Sequence, residues 1–175
     1  MKRLATLVFI LVLVLASFTS VAAQLPTPTP SPSQINSYEL FWPVVAGKTS
    51  NDPLYFLKTL KENLRGALIF GKPQKAEYHV FVATKRILEA EKLVSNGNLK
   101  EAEKAVDGAN SRLTKANKLL EDLKGQDVSS VANELNRKLD NLTIFLDYLQ
   151  TKTQGKVLEN LQVSDGLVDQ LSTKI

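Results

Sequence analysis

The chain of 175 residues is long enough for one domain of ordinary size, and 43% of its residues are hydrophobic, which is enough to bury a core. It contains no cysteine, which excludes disulfides, thiolate metal sites, cysteine nucleophiles and a lipid anchor on cysteine. Removing Lys2 and Arg3, which lie in a segment that we expect to be cleaved, from the 22 basic residues leaves 20 against 18 acidic ones. The resulting net charge of +2 comes without the basic stripe that nucleic-acid-binding proteins carry.

Residues 1–23 have the pattern of a secretory signal peptide. Lys2 and Arg3 give a positive start, residues 4–18 form an apolar run of 15 residues, and small residues precede a cleavage point before Gln24. The apolar run is shorter than the roughly 20 residues that a membrane span needs, so an uncleaved anchor is the less favoured alternative. Either reading predicts that the rest of the chain lies outside the cytoplasmic membrane, as a secreted or cell-envelope protein.

Two segments of different character follow the signal. Residues 24–37 form a Pro/Thr/Ser-rich linker, for which we expect a stiff, extended chain. Residues 38–50 are an aromatic arm and loop, in which Tyr38, Phe41 and Trp42 are the large aromatic side chains. We expect this arm to fold back over the helices; the alternative is an exposed interaction surface at a membrane or a partner, where Trp and Tyr are favoured.

Residues 51–153 have the apolar periodicity of an all-α antiparallel bundle of three to four long helices with short loops. The helices are predicted at about 53–70, 73–95, 99–124 and 128–153, the last of them capped by Asp127. Steps of three and four residues between apolar positions are typical of coiled-coil-like packing. In the third helix these positions are Leu99, Ala102, Val106, Ala109, Leu113, Ala116, Leu120 and Leu123.

The helix at 53–70 and the tail after residue 153 are less regular than the rest. In the helix at 53–70 we expect a buried apolar face and, on the opposite side, Lys58 and Glu62 facing solvent one turn apart. In the tail, residues 154–175, the apolar pattern breaks and two glycines weaken a helix, although a weak amphipathic helix could still form. The expected buried face of the first helix consists of Leu57, Leu60, Leu64 and Ala67.

Polar residues near the helix faces predict contacts between helices more readily than catalysis. Arg86 and Glu89 could pair with Lys58 or Glu62 in a network that sets the register of two helices, the alternative being a polar ligand site. Glu89 and Glu91 are two residues apart on a helix, so we expect a solvated face rather than a catalytic carboxylate pair.

Other polar residues predict no site. Asn110 and Asn117 are expected at the solvent boundary, with a hydrogen bond to a neighbouring helix as the alternative. His79, the single histidine, is expected at or near the surface, because it lacks imidazole or thiolate partners for a metal. With no glycine-rich phosphate loop and no Gly-x-Ser-x-Gly motif, the sequence predicts no catalytic, cofactor-binding or metal-ligating residue and no cofactor.

Several short runs between Tyr38 and about Leu120 match a recognisable pattern. The most specific is Asp-Pro-Leu-Tyr-x-Leu-Lys at 52–58, and the others are Tyr38-Glu39-Leu40, Pro43, Asn51, Lys75-Ala76-Glu77, Lys85-Arg86, Glu89, Gly97 and Glu101-Ala102-Glu103. The segment thereby resembles an uncharacterised family of secreted bacterial domains, a domain of unknown function found in reduced-genome candidate-phylum bacteria and in extracytoplasmic parts of some actinobacterial membrane proteins. The chain departs from the usual form between Pro43 and Asn51. The resemblance implies a secreted helical domain and no known activity.

Together these features predict a non-catalytic secreted or cell-envelope helical domain that acts in protein interaction or scaffolding. Its partner would be a protein or an envelope component and not a nucleic acid. Contact with a membrane is expected only through the N-terminal segment, if that segment is uncleaved. The alternative is an extracytoplasmic module that binds a small apolar ligand between the helices.

Overall fold

The computed structural model describes residues 35–123 and 129–175, except for the side chain of Ser130. The predicted signal peptide, most of the linker and the predicted cap Asp127 lie outside these residues. The described residues form six helices and no strand, which confirms the all-α prediction. The helices are α1 (Ser37–Phe41), α2 (Tyr55–Ala67), α3 (Lys72–Ser95), α4 (Leu99–Glu121), α5 (Ser129–Gln150) and α6 (Lys156–Ser172).

Helices α3 to α6 form a four-helix bundle in which α3 and α6 each lie between α4 and α5. Connections of three and five residues join α3 to α4 and α5 to α6, so each of these pairs is antiparallel. The α4–α6 pair is parallel, because Asn110 and Asn117 donate, in chain order, to the carbonyls of Asn160 and Leu167, each at 3.0 Å. It follows that α3 and α5 are also parallel.

The apolar pattern of α4 defines the centre of this bundle, as predicted. Seven of its eight positions are buried, and only Leu99 at the helix start is exposed. Alanines spaced seven residues apart allow α3 and α4 to approach closely, since a small side chain keeps the helix axes near one another. These fully buried alanines are Ala76, Ala83 and Ala90 on α3 and Ala102, Ala109 and Ala116 on α4.

The tail forms a full member of the bundle, which differs from the weak helix expected there. Helix α6 contacts both α4 and α5, and it buries Val157, Leu161, Val168 and Leu171. Gly166 lies on its exposed side, where the missing side chain removes no packing contact. Tertiary burial therefore outweighs the low helix propensity of this segment.

The prediction for the buried face of the first long helix is wrong. Helix α2 lies outside the bundle against α3, and Leu57, Leu60 and Leu64 on it are each about half exposed. Glu62, expected in solvent, is buried, and Lys58 is partly buried. The helix thus packs its polar face inward and turns its apolar face outward.

Candidate interaction surface

Helix α2 is bounded by local backbone features. The Asp52 carboxylate accepts a hydrogen bond from the Leu54 amide at 2.8 Å just before the helix. Gly71, with φ of +92°, turns the chain into α3 in a conformation that favours glycine. Gly66 allows α2 to come close to α3, because a Cβ at this position would lie 2.9 Å from Cε1 of Tyr78. The chain thus holds α2 closely against α3.

A network of buried charges joins α2 to α3. Glu89 of α3 is fully buried and forms ion pairs with Lys58 of α2 and with Arg86. The Tyr55 hydroxyl donates to Glu89 at 3.0 Å, and the Arg86 guanidinium lies 5.3 Å from the centre of the Tyr55 ring. Arg86 also pairs with Glu62 of α2. The predicted network between these helices is thereby confirmed.

The network continues along α2 and includes its backbone. Lys85 binds the Glu62 carboxylate at 2.6 Å, and the Tyr78 hydroxyl donates to the Glu62 carbonyl at 2.8 Å. Lys58 donates in addition to the carbonyl of Lys48 at 2.8 Å, in the loop before α2. The polar face of α2 is therefore satisfied within the fold, as buried polar groups must be.

Burial changes the proton affinities of the groups in this network. Desolvation lowers the pKa of Lys58, although Glu89 opposes the shift. Desolvation and the neighbouring Glu89 carboxylate raise the pKa of Tyr55 far above its usual range. Desolvation of Arg86 is outweighed by Glu89 and Glu62, which raise the pKa of Arg86. Tyr55 and Arg86 thus keep their protons near neutral pH, as their ion pairs and hydrogen bonds require.

The outward face of α2 is a continuous apolar stripe with a cationic edge. Positions 57, 60, 64 and 68 recur at steps of three and four, which places them on one side of the helix. Lys61 and Arg65, both exposed, follow this side along one edge. We call this surface the α2 outer face. Its large exposed apolar side chains are Leu54, Phe56, Leu57, Leu60, Leu64, Leu68 and Phe70.

The aromatic arm divides into a buried and an exposed part. Phe41 is buried and meets Phe145 of α5 edge-to-face, with ring centres 5.2 Å apart. Tyr38 and Trp42 are more than half exposed and lie against each other with ring centres 4.8 Å apart. Phe41 therefore anchors the arm on the bundle, and the predicted interaction surface stays a prediction for Tyr38 and Trp42.

Phe81 of α3 lines two of the surface cavities that adjoin these features. The larger, of about 330 Å³, lies between α2, α3 and the loop before α2, and its lining includes the cationic side chains of Lys61 and Arg65. The smaller, of about 220 Å³, lies under the arm and is lined in part by Trp42 and Asn141. The arm and α2 therefore flank neighbouring parts of α3.

Three other polar expectations have different outcomes. Glu89 is fully buried, so its assignment to a solvated face is wrong; its network partners outweigh the cost of burial. Asn110 and Asn117 form hydrogen bonds to α6, which is the alternative rather than the favoured expectation. His79 is half-buried with Arg112 3.5 Å from its Nδ1, and burial followed by neighbouring cations lowers its pKa to about 4.

The described residues contain neither a cluster of metal-ligating side chains nor a membrane-spanning helix. Within residues 35–123 and 129–175, no group of three or more His, Cys, Asp or Glu side chains is placed to hold a metal ion. Among the same residues, no helix is both long enough and apolar enough to cross a bilayer.

The sequence does not predict the α2 outer face, because the apolar periodicity of α2 places its leucines in the core. A signal was available, since pairing Lys58 and Glu62 with Arg86 and Glu89 requires the polar side of α2 to face α3. That pairing and an inward leucine face cannot both hold on one helix, because the two sets lie on opposite sides.

Comparison with known proteins identifies one family. No curated protein and no solved structure gives a significant match to the chain. A family model described as a domain of unknown function, DUF5667, matches residues 47–165. The match begins in the loop after the aromatic side chains and extends through α5 into α6. It therefore leaves out Tyr38-Glu39-Leu40 and Pro43 and continues beyond Leu120, where the predicted resemblance ends. The chain therefore belongs to the DUF5667 family of domains of unknown function.

Proposed function

We propose that this chain is a non-catalytic, secreted or cell-envelope interaction domain that contacts its partner through the α2 outer face. The observation that carries the proposal is the inverted packing of α2. Seven large apolar side chains in and beside this helix are between about half and almost wholly exposed, from 47% for Leu54 to 86% for Phe70. Contiguous apolar patches on soluble domains mark interaction sites, whereas single exposed leucines do not.

Free energy supports this assignment. Burying one large apolar side chain from full exposure contributes about 1.5–3 kcal/mol. These seven side chains are about half exposed or more, so a partner that covers them would gain a large part of this free energy. The helix is already attached to α3 by the charges around Glu89 and Glu62. A partner can therefore cover the outer face without competing with contacts that hold the domain together.

The non-catalytic part of the proposal rests on how the polar groups are used. The carboxylates of Glu62 and Glu89 are each held by two cations, and Tyr55 donates to Glu89. Such mutually satisfied groups stabilise a contact and offer no free acid, base or nucleophile to a substrate. The extracytoplasmic part rests on the signal-peptide pattern of residues 1–23.

Cysteine labelling of the full chain tests the α2 outer face, since the natural sequence contains no cysteine. The variants Leu64→Cys on α2 and Val163→Cys on α6 replace side chains that are 58% and 53% exposed, so they form a matched pair. Envelope extract from the host should slow maleimide labelling at position 64 at least several-fold and leave position 163 unchanged. Equal labelling rates at both positions in the extract would contradict the proposal.

A second candidate function, binding of a small apolar ligand, is favoured by the cavity of about 220 Å³ under the arm. The lining of this cavity comes from the arm, from α3 and from α5, so a ligand in it would lie between helices and under the arm. Trp42, the single tryptophan, lines the cavity, so its fluorescence reports occupancy. Native mass spectrometry of chain purified from its host should show a bound apolar molecule; a consistently empty chain would count against this function.

A further inference from the structure

We propose that the partner of the α2 outer face is the surface of a membrane containing anionic lipids, on which α2 lies parallel to the bilayer plane. This inference rests on the proposed function, since it names the partner of the same surface. Amphipathic helices that lie in the membrane interface present an apolar face to the acyl chains and cationic side chains to anionic headgroups. The α2 outer face combines the same two features.

The charges on α2 favour an anionic partner over a second copy of the chain. The only acidic residue of α2 is Glu62, which is buried and paired with Arg86 and Lys85. Lys61 and Arg65 are exposed, and neither forms an ion pair with a carboxylate in the part of the chain that the structure describes. The Arg65 guanidinium lies over the rings of Tyr78 and Phe81, 5.7 and 5.9 Å from their centres, and keeps its full charge. Two copies joined through this face would bring like charges together, whereas an anionic surface would neutralise them.

The shape and chemistry of the face favour lipid over a folded protein. Helix α2 lies outside the four-helix bundle against α3, and the leucines and phenylalanines of its outer face are exposed. The stripe thus consists of Leu and Phe without a directional polar group, which suits an acyl phase better than a partner that must be recognised by shape.

The arm adds an aromatic contact beside α2. Trp42 is 63% exposed and Tyr38 is 53% exposed, and these are the residue types that favour the headgroup region. The arm lies next to α2, because Phe81 lines both the cavity under the arm and the cavity beside α2. The arm also directly follows the linker, so a chain whose N-terminal segment remained in the membrane would hold this side of the domain near the bilayer.

A dye at a single cysteine tests contact between α2 and lipid. We would label the full-length variants Leu64→Cys and Val163→Cys and add vesicles that carry brominated acyl chains as quenchers. Phosphatidylglycerol–phosphatidylcholine vesicles should quench the dye at position 64 at least twofold, and phosphatidylcholine vesicles should quench it several-fold less. The dye at position 163 should respond to neither. Because the readout is local, it is valid even if the N-terminal segment itself binds the vesicles.

Charge reversal sharpens the same experiment. In Lys61→Glu/Arg65→Glu, the affinity for the vesicles, measured by quenching at position 64, should fall about fivefold for each removed cation. Repulsion between the added carboxylates and the anionic lipids should lower the affinity further. Lys115→Glu/Lys118→Glu, which changes two exposed lysines of α4 and gives the same net charge, should leave quenching unchanged. Equal effects of the two double variants would overturn the proposal.

The possible failures are distinguishable. If position 64 is protected by envelope extract but not by pure vesicles, the lipid assignment is wrong and the proposed interaction surface stands. If neither protects it, both are wrong. A dimer in sedimentation velocity without lipid that Leu64→Glu abolishes would also overturn the lipid assignment, in favour of a second copy.

Discussion

Helices α2 and α4 have the same apolar periodicity, but α4 buries its apolar side and α2 buries its polar side. In α4, seven of eight apolar seam positions are buried in the bundle. In α2, Leu57, Leu60 and Leu64 repeat the same spacing and are each about half exposed. Helix α4 lies between two bundle helices, whereas α2 packs against α3 and the loop before it and meets α4 through the hydrogen bond from Arg112 to Asn63. The apolar pattern therefore predicts a helix with two faces and leaves open which face meets the protein.

The polar residues decide the orientation of α2. On the side of α3 that faces α2, Arg86 and Glu89 are buried beside Tyr78. An apolar face of α2 placed there would leave these charges without partners, and unpaired buried charge costs several kcal/mol. Turning Lys58 and Glu62 inward completes two sets of ion pairs and releases the leucines to the surface. The contact between α2 and α3 is thus polar, and the contact between α3 and α4 is apolar.

The largest expected effect tests the polar contact. Glu89→Ala leaves the buried cations Lys58 and Arg86 without this carboxylate and should lower the free energy of unfolding by about 3–5 kcal/mol. Urea denaturation measures the change. Glu134→Ala, the control, removes surface ion pairs with Arg137 and Lys138 and should cost about 1 kcal/mol or less. Similar stabilities of the two variants would show that the network does not hold α2 in place.

The next effect compares the two apolar stripes directly. Leu113→Ala, at a fully buried position of α4, should lower the free energy of unfolding by about 2–5 kcal/mol through lost burial and a cavity. Leu64→Ala on α2 should change it by less than about 0.5 kcal/mol, because the side chain is largely in solvent. Thermal and urea unfolding of both variants would check this. A cost at Leu64 close to that at Leu113 would mean that the leucine stripe is covered by the domain itself.

The smallest effect concerns His79 of α3, which lies between the polar contact with α2 and the apolar contact with α4. Arg112 of α4 approaches its ring and donates to Asn63 of α2 at 2.7 Å. Burial, then the charges of Arg112, Lys115 and Lys75, lowers the pKa of His79 from 6.5 to about 4. The unfolded chain therefore takes up this proton first, and the stability that neutral His79 contributes is complete above pH 6.5 and is lost as pH falls toward 4.

The expected loss of stability on protonation of His79 is modest. The full shift would correspond to about 3 kcal/mol, and solvent screening at this half-buried site reduces the expected loss to about 1 kcal/mol. His79→Asn should flatten the pH dependence of the free energy of unfolding between pH 4 and 6.5. NMR titration of the ring gives an independent measure; a midpoint near 6.5 would contradict the prediction.

The sequence alone was sufficient to predict the all-helical class, the approximate positions of α3 and α4, and the pairing of Arg86 and Glu89 with Lys58 and Glu62. These follow from spacing, because the 3.6-residue repeat of a helix decides which side chains share a face. A resemblance to an uncharacterised domain family was also predicted from the sequence, and a model of a domain of unknown function matches residues 47–165.

Only the tertiary structure decided which helices form the bundle and which way α2 faces. Helix α6 completes the bundle despite its weak pattern, because α4 and α5 together offer a groove that its buried side chains fill. Helix α2 has the stronger pattern and remains outside, because the buried charges of Arg86 and Glu89 require polar partners. Periodicity is a property of one helix, whereas burial depends on the side chains that a neighbour presents.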